Sequence, residues 1–147
     1  MIEREPKSQT KLFGLNRFFS EIIHLYKSEK LPNKILFSGP KGIGKSTMAY
    51  HFINYVLSKD EINSYDTNNL CIHPENHSFK TIINKSNLNF SLIDVNKEKK
   101  NIDINQIRNL IKLLNKSSFN KKKRFVLIDN IEFLNKSSVN ALLKIIE

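Results

Sequence analysis

The sequence predicts an α/β protein, a parallel sheet with helices on both faces and a phosphate-binding loop at the end of its first strand. Three observations predict it. Residues 39–46 read G-P-K-G-I-G-K-S, a full match to the pattern G-x-x-x-x-G-K-[ST]. Short apolar segments alternate with stretches of helical period, as parallel strands joined by crossover helices require. The segment Arg124-Phe-Val-Leu-Ile-Asp129 is nearly continuous in apolar residues, as a strand covered on both faces should be.

Each element follows from its residues in order. Residues 1–10 are polar and read as a loose N-terminal segment. An amphipathic helix is predicted over 15–30, with Phe18, Ile22 and Leu25 on one face and Phe19, Ile23 and Tyr26 beside it. Leu31-Pro32 should end it, because proline disfavours helix in its predecessor and cannot continue one. Lys34-Ile-Leu-Phe-Ser38 reads as the first strand, followed by the glycine-rich loop and a helix over 47–57 carrying Met48, Phe52, Ile53 and Val56. Residues 59–85 are polar and Asn-rich and predict irregular structure. A second strand is predicted over 90–95. Asp103 should cap the next helix, with Gln106 at the capping-box position and Ile104, Ile107, Ile111 and Leu114 as its apolar face. After the strand over 124–129, a last helix starts near Ser137 and carries Val139, Leu142, Leu143 and Ile146. It reaches Glu147 with no glycine cap or breaker. Three strands make a thin sheet, so residues 11–147 read as the N-terminal part of a nucleotide-binding domain in a longer protein.

Composition narrows the setting. The 147 residues are 39% hydrophobic and 26% charged, which excludes a disordered chain, and no apolar run approaches the ~18 residues of a membrane span. The start, Met1-Ile-Glu-Arg-Glu-Pro6, is too acidic and polar for a signal peptide. A single cysteine, Cys71, excludes an internal disulfide and fits a reducing cytoplasm. The net charge of +10 comes with 20 Lys, 19 Asn and 19 Ile, a trio expected of A+T-rich coding, so charge alone does not decide for nucleic acid. The runs Lys97-Glu-Lys-Lys100 and Lys121-Lys-Lys-Arg124 each lie beside a strand, where solvated loop charge is common.

The loop carries the chemistry. Glycines let backbone N–H groups turn around phosphates, a lysine neutralises the β/γ oxygens, and a hydroxyl reaches Mg²⁺. The helix that starts there adds its positive dipole end. The nucleotide-binding residues are therefore expected to be Gly39, Pro40, Lys41, Gly42, Ile43, Gly44, Lys45, Ser46 and Thr47. Asp129, at the carboxyl end of its strand, is the expected acid on the magnesium side with Ser46, and ATP with Mg²⁺ the expected ligand. Hydrolysis also needs a base or a group that orients water; Asn130 cannot accept a proton at neutral pH, and Glu132 follows two residues later. Cys71, His73 and His77 form a C-x-H-x₃-H cluster, but without a second cysteine no zinc is expected.

Taken together, six segments resemble the AAA+ subunits of the bacterial DNA polymerase III clamp loader, most of all its delta-prime subunits. They are Lys11-Leu-Phe-Gly-Leu15, Lys30-Leu-Pro-Asn-Lys34, the loop 39–46, Asp103-Ile-Asn-Gln-Ile-Arg108, Phe125-Val-Leu-Ile-Asp129 and Ser138-Val-Asn-Ala-Leu-Leu-Lys144. The resemblance spans about residues 10–147. It implies an AAA+ domain of the P-loop NTPase class, cut before its central strand, and an ATP-binding subunit of a hetero-oligomeric ring that places the sliding clamp on primed DNA. It implies that Leu12-Phe-Gly14 lie near the adenine. Motor subunits of that family have Glu after the strand-end Asp, so Asn130 favours delta-prime and puts ATP turnover in doubt. Many relatives carry a four-cysteine zinc module before the second strand, of which only Cys71 remains. An active motor ATPase subunit is the alternative, and a small P-loop nucleotide or metabolite kinase a more distant one, short of lid arginines.

Overall fold

Apolar spacing and caps lay down five α-helices and two strands over the residues that the computed structural model describes: 5–96, 98–117 and 120–147. Lys97, in the first basic run, lies outside the described residues. The chain divides into two compact units, with the boundary between Asn87 and Leu88. Among the described residues no helix is long and apolar enough to cross a membrane.

The first unit is helical. Helix α1 (Asn16–Lys27) buries Phe19 and Ile22, while Phe18, expected on its apolar face, is exposed. It ends before the predicted Leu31-Pro32, at the Ser28 cap, where Glu29 turns to a φ of 58° and leaves helical space. Helix α2 (Lys45–Leu57) starts two residues earlier than its spacing suggests and is buried on most of its circumference, from Met48 through Leu57. Helix α3 (His77–Ile83) lies inside the stretch read as irregular. Its cap is Asn76, whose Oδ1 accepts from the N–H of Phe79 at 2.7 Å. The predicted strand over 34–38 is corrected: Ile35 to Ser38 form no strand and pair with none among the described residues, and Leu36 is 73% exposed. An apolar run becomes a strand only when a neighbour takes up its hydrogen bonds, and none of the described residues does so here. Residues 5–10, read as part of a loose N-terminal segment, hold a 3-10 turn over Pro6–Ser8, and Thr10 accepts from the N–H of Ile72 at 2.8 Å.

The second unit follows its predicted order closely. Strands β1 (Phe90–Ile93) and β2 (Phe125–Ile128) pair in parallel, Ile93 opposite Ile128. Among the described residues two strands, not three, make the sheet. Helix α4 (Ile104–Leu114) carries the predicted capping box: Asp103 accepts from the N–H of Gln106, whose side chain accepts in turn from the N–H of Asp103. Helix α5 (Lys136–Ile146) is capped by Asn135, whose Oδ1 accepts from the N–H of Ser138. Ile93, Ile102, Ile107, Leu110 and Leu142 form an aliphatic core, with Val126 and Ile128 packed against it. This core sets the strand ends at which the acids lie.

Candidate functional site

Residues 39–46 follow a path that only glycine permits at its turns. Gly42 sits at φ 83° and Gly44 at φ 95°, both in the left-handed region. A Cβ on Gly42 would meet nothing within 4 Å, so its conformation, not crowding, requires the glycine. Gly44 is the N-cap of α2 and offers no side chain, so the cap itself claims none of the first-turn N–H groups. Lys45 folds back over the loop, its Nζ donating to the carbonyls of Gly39 and Pro40 at 2.9 Å each. The ammonium therefore ties the end of the loop to its start. Lys41 and Ile43 are exposed, whereas Ser46 and Thr47 are half-buried at the head of the helix.

The helix behind the loop is fixed by polar contacts in a dry interior. His51 is fully buried; its Nε2 donates to the carbonyl of Gln9 at 3.0 Å, which leaves Nδ1 to accept from the Tyr65 hydroxyl at 2.8 Å. Burial lowers the pKa of His51 to about 4, opposed only in part by the Gln9 carbonyl. Burial also pushes the Tyr65 phenol up, helped by Cys71 and Asp66, so its proton stays available to His51. The 11–15 segment closes on the same loop, since a Cβ on Gly44 would lie 3.5 Å from Leu15 Cδ1. Leu12 is buried and Phe13 is 73% exposed, with Lys11 Nζ 5.8 Å from its ring centre.

In the second unit, both strands end in an acid. Asp129 continues the ladder, its N–H donating to the carbonyl of Ile93 at 2.9 Å, and its Oδ1 accepts from the N–H of Asn130 at 2.9 Å. Asp94, the corresponding residue after β1, had no role in the sequence reading. Its Oδ1 accepts from Asn130 Nδ2 at 2.8 Å and from the N–H of Val95 at 2.7 Å. Asn130, at φ 53° and ψ 45°, thus straps the two strand ends together. The signal that could have found Asp94 is the shared form of the strands, four residues and then Asp in each. Glu132 stands exposed in the short 3-10 turn Ile131–Phe133.

A model of the family described as DNA polymerase III, delta subunit, matches residues 14–147. The chain belongs to the DNA polymerase III delta subunit family. It is also 28% identical over 128 residues to a protein of Mycoplasma genitalium named DNA polymerase III subunit gamma/tau, covering 86% of this chain and 20% of that protein. The chain therefore spans about a fifth of the length of that curated relative. Family and relative agree on a chain of clamp-loader type, and the small α/β build is consistent with it.

In this family member, Cys71, His73 and His77 do not converge. Cys71 pairs through its backbone with Asp66 and Lys11, and burial raises its thiol pKa, with Asp66 adding to the effect. His73 Nδ1 accepts from the N–H of Glu75 at 3.0 Å, and His77 lies exposed in the first turn of α3. Among the described residues no three His, Cys, Asp or Glu side chains are grouped to hold a metal ion.

Proposed function

We propose that this chain is an ATP-binding subunit of the DNA polymerase III clamp loader, of the delta-prime kind. In this reading it works in the cytoplasm with other loader subunits in a hetero-oligomeric ring and helps place the sliding clamp on primed DNA. ATP is held by residues 39–47, with Ser46 and Asp129 as the groups on the magnesium side. The observation that supports it best is the loop itself. Two left-handed glycines at alternate positions lead into a helix N-terminus whose cap residue has no side chain, an arrangement suited to phosphate oxygens. Lys45, bonded to two neutral carbonyls, has a stronger partner to gain when a phosphate enters.

Calorimetric titration with ATP and Mg²⁺ tests this. Lys45→Ala should weaken binding at least about tenfold, because a charge-assisted contact is worth roughly 1.5–3 kcal/mol. Equal affinity in the two proteins overturns the assignment. Asn130 supports binding without turnover, since its amide is engaged with Asp94 and is no base. A second reading, a motor subunit that hydrolyses ATP, rests on Glu132 just beyond the strand end. Phosphate release near ~1 s⁻¹ or faster from the protein alone would favour that reading.

A further inference from the structure

Within two turns of its start, α2 carries a histidine with no exposed surface, His51. Burying an imidazole costs solvation at both nitrogens unless each finds a partner. Both do. The Gln9 carbonyl can only accept, so Nε2 carries the proton and Nδ1 accepts from the Tyr65 hydroxyl. Tyr65 is held in turn by its N–H, which donates to Ser58 Oγ at 3.1 Å, and by Phe19, whose ring centre is 5.4 Å from its own. An apolar side chain of like size would pack at position 51 without these demands. What the imidazole adds is a donor aimed at the main chain of residue 9.

That main chain runs directly to the phosphate-binding loop. Beside Gln9, the Thr10 carbonyl accepts from the N–H of Ile72 at 2.8 Å, and the N–H of Leu12 donates to the carbonyl of Leu70 at 3.0 Å. Leu12 and Leu15 are buried. At Gly14 the backbone turns through a φ of 75°, and Leu15 Cδ1 then lies 3.5 Å from the place of a Cβ on Gly44. Gly44 is the left-handed cap of α2, just ahead of Lys45 and Ser46. Segment 9–15 is therefore fastened at one end to the second turn of α2 and rests at the other on the cap of the same helix. Fastened, it holds Leu15 where it limits the movement of Gly44. Loose, it frees the cap to explore the wide range of backbone conformations open to glycine.

We propose that His51 is a positioning residue for the phosphate-binding loop: by fastening the Gln9 carbonyl, its Nε2–H keeps Leu15 against Gly44 and the loop N–H groups in the arrangement that takes phosphate. The proposal rests on the ATP reading of residues 39–47. It makes affinity depend on a side chain buried behind the site, through the fraction of molecules whose loop is already set. Tyr65 acts one step further back, since its hydroxyl at Nδ1 keeps the imidazole proton on Nε2.

The test is calorimetric titration of the full chain with ATP and Mg²⁺ and, separately, with inorganic tripolyphosphate and Mg²⁺. His51→Leu keeps apolar bulk and removes the donor, whereas His51→Gln keeps an amide donor. His51→Leu should weaken both ligands by the same factor, about two- to tenfold, the range of one neutral hydrogen bond, and His51→Gln should recover most of the loss. Should His51→Leu fail to fold, Tyr65→Phe tests the same chain of contacts. It should weaken both ligands about twofold. Its ¹⁵N spectrum should show a mixture of His51 tautomers where the wild type shows Nε2–H alone. Four results overturn the proposal and leave the ATP reading standing: undiminished affinity in His51→Leu, equal losses in the two His51 variants, a loss for ATP with none for tripolyphosphate, or unchanged affinity and tautomer in Tyr65→Phe. No binding of ATP by the wild type overturns both.

Discussion

The two units keep their interiors in different ways. In the first, His51, Asn54, Ser58 and Asn76 are buried among Phe19, Tyr50, Phe52 and Tyr65. In the second, the core is Ile93, Ile102, Ile107, Leu110 and Leu142, and its buried Ser138 donates to the carbonyl of Ile102 at 3.0 Å. The second unit has a ladder, β1 on β2, that satisfies backbone groups. The first has long connections instead, and side chains do the tying: Asn76 donates to the carbonyl of Asn63, and Ser58 accepts from the N–H of Tyr65. An aliphatic core tolerates small losses because dispersion is spread over many contacts. A buried amide network tolerates few, because each lost partner strands another polar group.

The sharpest test of this contrast is Asn76→Ala. It removes the cap of α3 and leaves Asn54 Nδ2 and the Asn63 carbonyl without their partner. The expected loss is roughly 3–7 kcal/mol, from about 1 for the cap and 1–3 for each stranded group. Urea denaturation reads it as a lowered midpoint. A loss below about 1 kcal/mol would show the network to be dispensable.

A somewhat smaller effect is expected from pH. His51 has a folded pKa near 4 against 6.5 when unfolded, so the unfolded chain takes up the proton first. Its stabilising contribution is complete above about pH 6.5, declines as pH falls towards 4, and changes no further below that. The window is worth about 3 kcal/mol. His51→Gln should flatten this part of the stability profile. Identical slopes for the two proteins between pH 6.5 and 4 would remove His51 as the cause.

The smallest effect belongs to the aliphatic unit. Ile107→Val, at a fully buried position, should cost about 0.5–1.5 kcal/mol. If it costs more than Asn76→Ala, the contrast between the units is reversed.

The same contrast explains what the sequence made legible. β1, α4 and β2 were readable because aliphatic periodicity and the Asp103–Gln106 box are local signals. α3 was not, since a seven-residue helix starting at a buried Asn offers little periodicity. The segment 34–38 looked like a strand because apolar residues mark strands, yet pairing depends on a neighbour that composition cannot supply. At the candidate site, the loop and Asp129 were visible as a motif and a strand end. Asp94 was missed because its significance comes from register, Ile93 opposite Ile128, and from an amide 36 residues away.

The strap from Asn130 to Asp94 also bears on history. Asparagine is among the few residues at ease at φ 53°, and its amide supplies the donor that Asp94 accepts. A lineage that replaced it with glutamate would lose that donor, set a second negative charge beside Asp94 and force a longer side chain into left-handed backbone. Each of these carries a cost of order 1 kcal/mol. The two positions are therefore coupled in energy: Asn130→Glu should cost more stability with Asp94 in place than in an Asp94→Asn background, where the added charge meets no carboxylate at 94.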